Sequence, residues 1–545
     1  MELDRILEKA PFFLDSEALA WVRETLGSMS EKEKISQLFC PLGVSTRKQD
    51  LLGLAEKGIG GIMFRPMKGV QSANTIKILQ ENSKIPMLIA GNLEMGGNGA
   101  ASDGTMFGSA MQAAATNDLE LASAIAKAIC LEGKAIGINW AFAPVSDIDL
   151  NFRNPITNLR TFGSDPERVL AMSKAYVQAA QDCGLAATVK HFPGDGVDER
   201  DQHLLTSVNS LSCDEWTSSY GRVYEALIAS GVKSFMVGHI AQPAWQARLG
   251  GETGKTVPAS LSKELMQGLL REKLGFNGLI ATDATPMAGF RIAMRRELAV
   301  PLCIENGADV FLFARDLESD FNLMLQGLEK GILSKKRLDD AVIRILGLKA
   351  SLGLHLDGKA LSQSSLSILG CPEHKRLAAQ CADKAITLVK DTQGLLPVSP
   401  KKYPRVYLNV LEPNDSPNTR LKKKLMAKLR NMGFEPTLRD RRALAGLSVL
   451  ADEGASIFAK AASLFRARNS LKELTGKPSD FTGNYDLALY VANFQPESEN
   501  TVIRIDWKGF KGMGNDVPWF VSEIPTLFVS LGSPYHLQDV PMIKT

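Results

Sequence analysis

The first 350 residues repeat one unit: a short, continuously apolar segment, a turn rich in Gly, Asn or Asp, and an amphipathic helical stretch. Continuous rather than alternating apolar segments indicate strands that are buried on both faces, as in a parallel sheet covered by helices. Eight such strands are predicted, at 36–42, 60–64, 86–91, 139–145, 186–192, 234–240, 278–284 and 309–314. Eight strand–helix units favour an α/β fold of the TIM-type (β/α)8 barrel, with a doubly wound open sheet as the alternative.

The repeated pattern ends near residue 355. Residues 356–400 are predicted to be a polar linker and a connecting helix, and 401–545 a smaller α/β sandwich domain with strands at 406–411, 485–494 and 526–534. The chain stops soon after the last of these strands, so we expect this sandwich to be incomplete at the C-terminus. Residues 1–355 are predicted to form the barrel.

Composition narrows the functional class of this 545-residue chain. The net charge is only +3, and no dense run of Lys and Arg accompanies aromatic residues, so a nucleic-acid partner is not favoured. No stretch of 18 apolar residues predicts a membrane span, and charges interrupt the start where a signal peptide is apolar. Seven scattered Cys without C-x-x-C spacing are typical of reduced thiols. A cytoplasmic enzyme is therefore expected.

Polar residues stand where the predicted strands end. In a parallel barrel these ends share one face, so side chains remote in sequence are expected to converge there. The residues concerned, in strand order, are Asn92 and Glu94, then Asp147 with Arg153 and Arg160, then Lys190 and His191, then His239, and finally Asp283. A loop, GDGVDERDQH, adds Asp201 and His203. The grouping predicts a functional site.

Taken singly, these residues also have structural interpretations. Lys190 fits a solvated surface lysine, and His191 and His239 fit core histidines bonded to backbone. Asp283, Asp147 and Asp149 fit caps of the helices that follow strands. A metal site built from His191, His203 and His239 is not favoured, because the chain has no H-x-H or H-E-x-x-H pair and lacks the dense carboxylates of a barrel metallohydrolase. No metal or other cofactor is predicted.

Six segments in order resemble glycoside hydrolase family 3, and within it the β-N-acetylhexosaminidase (N-acetyl-β-glucosaminidase) branch. They span about residues 30–400 and are IPMLIAGNLEMGG, INWAFAPVSDI, RNPITNLRTFGSDPERV, VKHFPGDG with its RDQH loop, PASLSKELMQGLLREKLGFNGLIATDATPMAG and ITLVKDTQGLLPV. The resemblance implies a barrel hydrolase that acts on carbohydrate. The D-x-H loop in particular argues for N-acetylglucosaminides over glucosides.

The same resemblance implies roles for individual residues. Asp283 of TDA corresponds to the nucleophile, and His203 to the acid/base with Asp201 as its partner. Binding of the non-reducing sugar is assigned to four residues: Asn92, Arg160, Lys190 and His191. Most members of the family have Asp at position 92, so the resemblance does not predict the choice among sugar epimers.

The implied chemistry is consistent with these residue types. Cleavage with retention needs a carboxylate on one face of the sugar and a proton donor on the other. Histidine suits the second role because its unperturbed pKa is about 6.5, and a neighbouring aspartate orients the ring. We expect His203 to lie on an arm that closes over substrate, with Gly194 and Gly196 as its hinge.

The predicted function is that of a retaining exo-glycosidase. It would release N-acetyl-β-D-glucosamine from cell-wall fragments or chito-oligosaccharides through a covalent glycosyl-Asp intermediate. One alternative is a phosphorylase that uses the same residues with phosphate as acceptor, aided by Arg153 or Lys190, because His beside the anomeric carbon tolerates an anion that a carboxylate would repel. Another is a non-catalytic sugar-binding protein. For the second domain a structural or dimer-forming role is favoured over a functional role of His536, and an oligomer is compatible with the sequence.

Overall fold

The computed structural model describes residues 2–252, 256–356, 363–414, 416–441, 449–450, 452–475, 477–499, 504–507 and 517–545. It divides into two compact units, Met1–Ile386 and Thr387–Thr545. The division falls within the segment 356–400; the predicted domain boundaries at 355 and 400 stay predictions.

Short parallel strands form the centre of the first unit. They are β1 (Phe39–Cys40), β2 (Leu42–Gly43), β3 (Gly61–Phe64), β4 (Leu88–Gly91), β5 (Trp140–Ala141), β6 (Ala186–Phe192), β7 (Ser207–Val208), β8 (Ser234–Val237), β9 (Ile240–Ala241), β10 (Leu279–Thr282) and β11 (Phe311–Leu312). Strands β7 and β9 pair separately, beyond the end of β8.

The remaining strands of this unit close into a ring. One sheet has the order β2-β3-β4-β5-β6-β8-β10. At its far edge Ala281 of β10 bridges to Val310, and the next two residues, β11, pair with β1. Strands β1 and β2 are two parts of one strand that is interrupted at Pro41, which has no amide hydrogen to donate. The ring therefore has eight strands, which confirms the TIM-type (β/α)8 barrel and excludes the doubly wound open sheet.

The barrel strands are continuously apolar in sequence because both of their faces are buried. Every residue of β4, β6, β8 and β10 is buried. The polar members are satisfied inside: the hydroxyls of Thr188 and Ser234 lie 2.7 Å apart, and Trp140 Nε1 donates to Ser234 Oγ at 2.9 Å. Hydrogen bonding between neighbouring strands thus allows hydroxyl side chains within the barrel.

Helices surround the barrel strands. They are α1 (Glu2–Leu7), α2 (Ser16–Ser28), α3 (Glu31–Gln37), α4 (Lys48–Glu56), α5 (Gly69–Asn82), α6 (Ala110–Ala115), α7 (Leu119–Ala135), α8 (Pro166–Asp182), α9 (Cys213–Trp216), α10 (Arg222–Ala229), α11 (Pro243–Arg248), α12 (Ala288–Arg291), α13 (Arg296–Glu305), α14 (Leu317–Glu329), α15 (Lys335–Ser351) and α16 (Pro372–Lys384), with a π-helical segment at Glu264–Lys273. Typical of them is α8, which begins after Asp165, whose carboxylate caps it, and has Pro166 at its first position.

The second unit is built on a four-stranded parallel sheet. Its order is β13-β12-β14-β15, from β12 (Arg405–Leu411), β13 (Glu435–Leu438), β14 (Leu487–Ala492) and β15 (Thr526–Ser530). Helices α17 (Arg420–Asn431), α18 (Ile457–Thr475) and α19 (Pro478–Thr482) accompany it. Separate apolar clusters cover its two faces, one around Tyr407 and Tyr490 and one around Leu408 and Val410. The strands predicted at 406–411, 485–494 and 526–534 each overlap an observed strand, whereas β13 was not predicted.

Candidate active site

Asp283, His191 and Asp147 form a line at the carboxyl ends of the barrel strands. Asp283 directly follows β10, and His191 is near the end of β6. The Nδ1 atom of His191 lies 2.7 Å from Asp147 Oδ2, and its backbone amide donates to Asp147 Oδ1 at 3.0 Å. Because Asp147 accepts from Nδ1, the other ring nitrogen, Nε2, is directed towards Asp283 Oδ2, 3.9 Å away.

Asp283 is held as an anion. Its Oδ1 accepts from the amide of Ala284 at 2.7 Å, and 14% of its side chain is exposed, so one carboxylate edge remains accessible. Burial would raise the pKa of this carboxyl, but the charges of His191 and His239 together with that amide bond outweigh it, and the pKa lies below its ordinary value. An ionised, rigidly held carboxylate has the properties of a nucleophile.

A second buried carboxylate, Glu94, anchors two cations beside the line. Arg160 donates to it through Nε and Nη2, both at 2.8 Å, and Lys190 Nζ lies 2.6 Å from Oε1. Lys190 also donates to the carbonyl of Phe142 at 2.5 Å. Burial would raise the pKa of Glu94, but the two cations outweigh it and hold the pKa well below its usual range. The single charge of Glu94 balances only one of the two cations, while 31% of the Arg160 side chain stays exposed.

His203 lies over the same end of the barrel, bonded to Asp201. The carboxylate of Asp201 accepts from both Nδ1 and the backbone amide of His203, each at 2.7 Å. Burial would lower the pKa of His203, but the bond and charge of Asp201, with a contribution from Asp283, raise it above its ordinary value. The carbonyl of His203 accepts from the amide of Ala288 at 3.0 Å, so this residue is connected to the segment that follows Asp283.

The loop of residues 194–203, here called the His203 arm, begins with two glycines that have a packing role. Gly194 and Gly196 have φ values of 113° and 102°, a region that disfavours other residues. A Cβ at Gly194 would lie 2.2 Å from the Tyr220 ring, and one at Gly196 would lie 2.1 Å from the carbonyl oxygen of Ile148. These glycines thus allow close packing of the turn, which differs from the hinge role that the sequence suggested; the movement of the arm stays a prediction.

Three further residues singled out from the sequence have different surroundings. Asn92 follows β4 with an exposed side chain that makes no hydrogen bond within the described part of the chain. Arg153 is an exposed residue 3.7 Å from Glu199. Asp149 is buried and accepts from Thr157 Oγ1 at 3.0 Å, which corresponds to its structural interpretation.

His239 is also a structural histidine. Its Nε2 donates to the carbonyl of Ala284 at 3.0 Å, and its Nδ1 lies 2.8 Å from Ser260 Oγ. With both ring nitrogens occupied, His239 is unavailable as a metal ligand alongside His191 and His203. Within the ranges that the structure describes, no cluster of three or more His, Cys, Asp or Glu side chains has the geometry to hold a metal ion.

Sequence reasoning missed two buried residues of this site, Asp195 and Gln202. Asp195 lies between the two glycines of the turn, and its amide donates to Asp147 Oδ1 at 2.8 Å. Burial and the charge of Asp147 raise the pKa of Asp195 to about 7. Gln202 was treated as the spacer of the D-x-H loop. The only signal for Gln202 in the sequence was that a long polar side chain stands at the middle position of the D-x-H motif, which the motif does not specify.

Comparison with known proteins places this arrangement in a family. The profile of the glycosyl hydrolase family 3 N terminal domain matches residues 30–348. A beta-N-acetylglucosaminidase/beta-glucosidase of Cellulomonas fimi is 44% identical over 543 residues, covering 99% of this chain and 92% of that protein. Beta-hexosaminidase A of Pseudoalteromonas piscicida is 31% identical over 345 residues, covering 58% of this chain and 56% of that protein.

Among solved structures, a beta-glucoside phosphorylase, BglX, bound to 2FGlc is similar over nearly the whole chain. The TM-score is 0.88 at 40% sequence identity, and the match covers 99% of this chain and 93% of that one. The matched profile spans more than half of the chain, and the relative from Cellulomonas fimi is similar over nearly its entire length. The resemblance stated from the motifs is confirmed: the chain belongs to glycoside hydrolase family 3 and is a glycoside hydrolase.

Proposed function

We propose that the chain is a retaining exo-glycosidase that releases N-acetyl-β-D-glucosamine from the non-reducing end of β-glycosides, such as cell-wall fragments or chito-oligosaccharides. The observation that carries this proposal is that a carboxylate able to act as nucleophile and an imidazole able to donate a proton lie at the same end of the barrel. Asp283 is an ionised carboxylate with one accessible edge. His203 is a partly exposed imidazole that Asp201 favours in its protonated form.

In the first step, Asp283 Oδ2 attacks the anomeric carbon and forms a glycosyl ester. The bond to the leaving oxygen breaks, and the proton on His203 Nε2 moves to that oxygen. In the second step, neutral His203 takes a proton from water, the water oxygen attacks the anomeric carbon, and the ester bond breaks to regenerate the carboxylate. Asp201 stabilises the imidazolium and fixes which nitrogen faces the substrate.

Recognition of the sugar is assigned to side chains beside the nucleophile. The exposed part of Arg160 provides hydrogen-bond donors whose direction Glu94 fixes. His191 Nε2 faces the same space as Asp283, so it can form a hydrogen bond with a sugar hydroxyl. Asn92 offers both a donor and an acceptor at the edge of the barrel. The name of the relative from Cellulomonas fimi includes both N-acetylglucosaminidase and glucosidase, so preference at the sugar 2-position is the part to measure.

A panel of aryl β-glycosides that differ only in the 2-substituent tests the substrate. We expect higher kcat/KM for the N-acetylglucosaminide than for the glucoside, and equal values would contradict the assignment. Asp283→Ala should retain sugar binding but lose turnover. A parent that binds the sugar without any turnover would instead support the non-catalytic sugar-binding alternative. A slow 2-fluoro glycoside should add one sugar mass to the peptide that contains Asp283, and a label on another peptide would refute the covalent role.

A second candidate, phosphorolysis, has a specific basis. The proton donor beside Asp283 is a histidine and not a carboxylate, so an incoming phosphate meets less repulsion. The similar structure of BglX is named a beta-glucoside phosphorylase. Lys190 is less suited to hold the phosphate than the sequence suggested, since Glu94 and a carbonyl already occupy its ammonium group. Sugar 1-phosphate formation and faster aglycone release in phosphate buffer would favour this acceptor; neither effect would be seen with hydrolysis alone.

We also propose a cytoplasmic location. All seven cysteines are free thiols, as expected in a reducing compartment. Over the described residues, none of the helices has both the length and the apolar character to cross a membrane. The location is tested by labelling intact and permeabilised cells with a membrane-impermeant reagent that does not react with thiols. Labelling of the enzyme in intact cells would contradict the proposal.

A further inference from the structure

Gln202 occupies a position that the D-x-H spacing leaves open, yet it is among the most completely buried polar residues beside the site. It is only 1% exposed, whereas 29% of the side chain of the adjacent His203 is exposed. A buried carboxamide needs partners for both its NH2 group and its oxygen. Its partners therefore show which parts of the barrel the arm is fixed to.

The side chain of Gln202 bonds to two different strand ends. Its Nε2 donates to Asp195 Oδ2 at 3.2 Å, in the turn that follows β6. Its Oε1 accepts from the amide of His239 at 2.8 Å, just beyond β8. One side chain thus spans two neighbouring loops of the barrel, immediately before the imidazole that faces the substrate.

The backbone of the arm makes a third connection. The carbonyl of Gln202 accepts from the amide of Gly289 at 3.1 Å, in α12, six residues after Asp283. A Cβ at Gly289 would lie 2.6 Å from that carbonyl oxygen and 2.9 Å from His239 Cβ, so the close approach needs glycine there. The arm is thus held against the segments that carry the nucleophile and its neighbours.

A chain of hydrogen bonds links the two sides of the site through this residue. Gln202 donates to the Asp195 carboxylate, and the Asp195 amide donates to Asp147. Asp147 in turn bonds to Nδ1 of His191, which faces Asp283. One network of hydrogen bonds therefore fixes both the segment that carries His203 and the residues beside Asp283.

We propose that Gln202 is a positioning residue that sets the distance between the His203 imidazole and the leaving oxygen of the bound glycoside. The inference rests on the proposed function, in which His203 donates the proton. Without the two side-chain bonds of Gln202, Asp201 still bonds His203 and the backbone bonds from Ala288 and Gly289 remain, but the pair loses its fixed distance to the loops after β6 and β8. Displacement on the order of 1 Å reduces the rate of a positioned step by about 10²-fold.

The test compares two leaving groups on the sugar that the parent enzyme cleaves best. Release of an alkyl alcohol requires a proton, whereas release of dinitrophenol does not. We expect Gln202→Met to lower kcat/KM for the alkyl glycoside by roughly 10²-fold and for the dinitrophenyl glycoside by less than about 3-fold. Retained activity on the dinitrophenyl glycoside also proves that the variant is folded. If Gln202→Met does not fold, Gln202→Asn decides, because it keeps a carboxamide but is one methylene shorter and cannot make both bonds at once.

Gln242 provides a matched control. It is fully buried, donates to the carbonyl of Leu211 at 2.6 Å and accepts from the amide of Trp245 at 2.7 Å, away from the His203 arm. Gln242→Met should affect both substrates equally.

His203→Ala separates the two proposals. A split between the substrates for His203→Ala but not for the Gln202 variants would overturn the positioning role and leave the proposed function intact. No split for His203→Ala would refute His203 as proton donor and so the proposed function itself.

Discussion

His191 and His203 each bond a buried aspartate through Nδ1, yet their surroundings give them different chemistry. The side chain of His191 is 4% exposed, and its Nε2 lies 3.9 Å from Asp283. The side chain of His203 is 29% exposed, and its Nε2 makes no hydrogen bond to any residue in the described ranges. The same local pairing therefore fixes one ring beside the nucleophile and leaves the other with a free nitrogen for proton transfer.

The pH profile should report this pairing. The first step needs Asp283 ionised and His203 protonated; the pKa of Asp283 is lowered and that of His203 is raised. We expect kcat/KM to fall on the alkaline side only above the ordinary histidine pKa of about 6.5. In Asp201→Asn the carboxylate that favours the imidazolium is lost, so the alkaline limb should move to lower pH.

Asp198→Asn is the control for this profile, since Asp198 lies on the same arm but bonds Arg200 and the amide of Val208. Its alkaline limb should match that of the parent. An unchanged limb in Asp201→Asn would show that Asp201 does not set the protonation of His203.

At the residue level, the sequence predicted part of the group of residues that gathers, but neither its other members nor what each residue does. Asp283, His191 and Lys190 were found because strand ends share one face of a barrel. Whether a histidine at a strand end is functional depends on partners distant in sequence: Ser260 and the carbonyl of Ala284 occupy His239, and no local pattern encodes them. Gln202 was missed for the same reason.

At the scale of elements, a buried ion cluster lies where the last barrel strand begins. Asp309 Oδ2 accepts from the amide of Ile280 in β10 at 2.8 Å and from Arg271 of the π-helical segment at 2.6 Å. Its Oδ1 accepts from Arg337 of α15 at 2.7 Å. One carboxylate thus joins three elements at the seam that closes the ring. The apolar periodicity predicted these elements but not this connection, because it depends on charges that meet only in three dimensions.

Asp309→Ala should strongly destabilise the first unit. The substitution removes the carboxylate that pairs with the buried guanidinium of Arg271, and it leaves Arg337 only its pair with Asp340 at 3.1 Å. Breaking a buried pair in this way costs about 3–5 kcal/mol of unfolding free energy. Denaturant unfolding measures it as a lower midpoint. Asp339→Ala is the control, because Asp339 is 44% exposed in its pair with Lys34 and such pairs contribute less than about 1 kcal/mol. Equal midpoints for the two variants would contradict the role of the cluster.

At the scale of the whole first unit, one buried charge should make stability depend on pH. Lys349 of α15 is fully buried, and its Nζ donates to Gln37 Oε1 at 2.6 Å. Burial lowers the pKa of Lys349 from 10.5 to about 7. Between these values the unfolded chain binds a proton that the folded chain does not, so the free energy of unfolding rises with pH across this window. The penalty is complete below pH 7 and absent above 10.5.

Lys349→Met removes this penalty. At about 1.4 kcal/mol per pH unit the full penalty is roughly 5 kcal/mol, of which about 1–3 kcal/mol is offset because Gln37 loses its donor. We therefore expect the variant to be more stable than the parent at pH 6 by a few kcal/mol, with the difference shrinking steadily as pH approaches 10. Urea unfolding of both proteins at pH 6, 8 and 10 measures it, with the exposed Lys263→Met as control. A difference that stays constant across these pH values would show that Lys349 is charged in the folded barrel, and burial would then have to be compensated by a partner beyond Gln37.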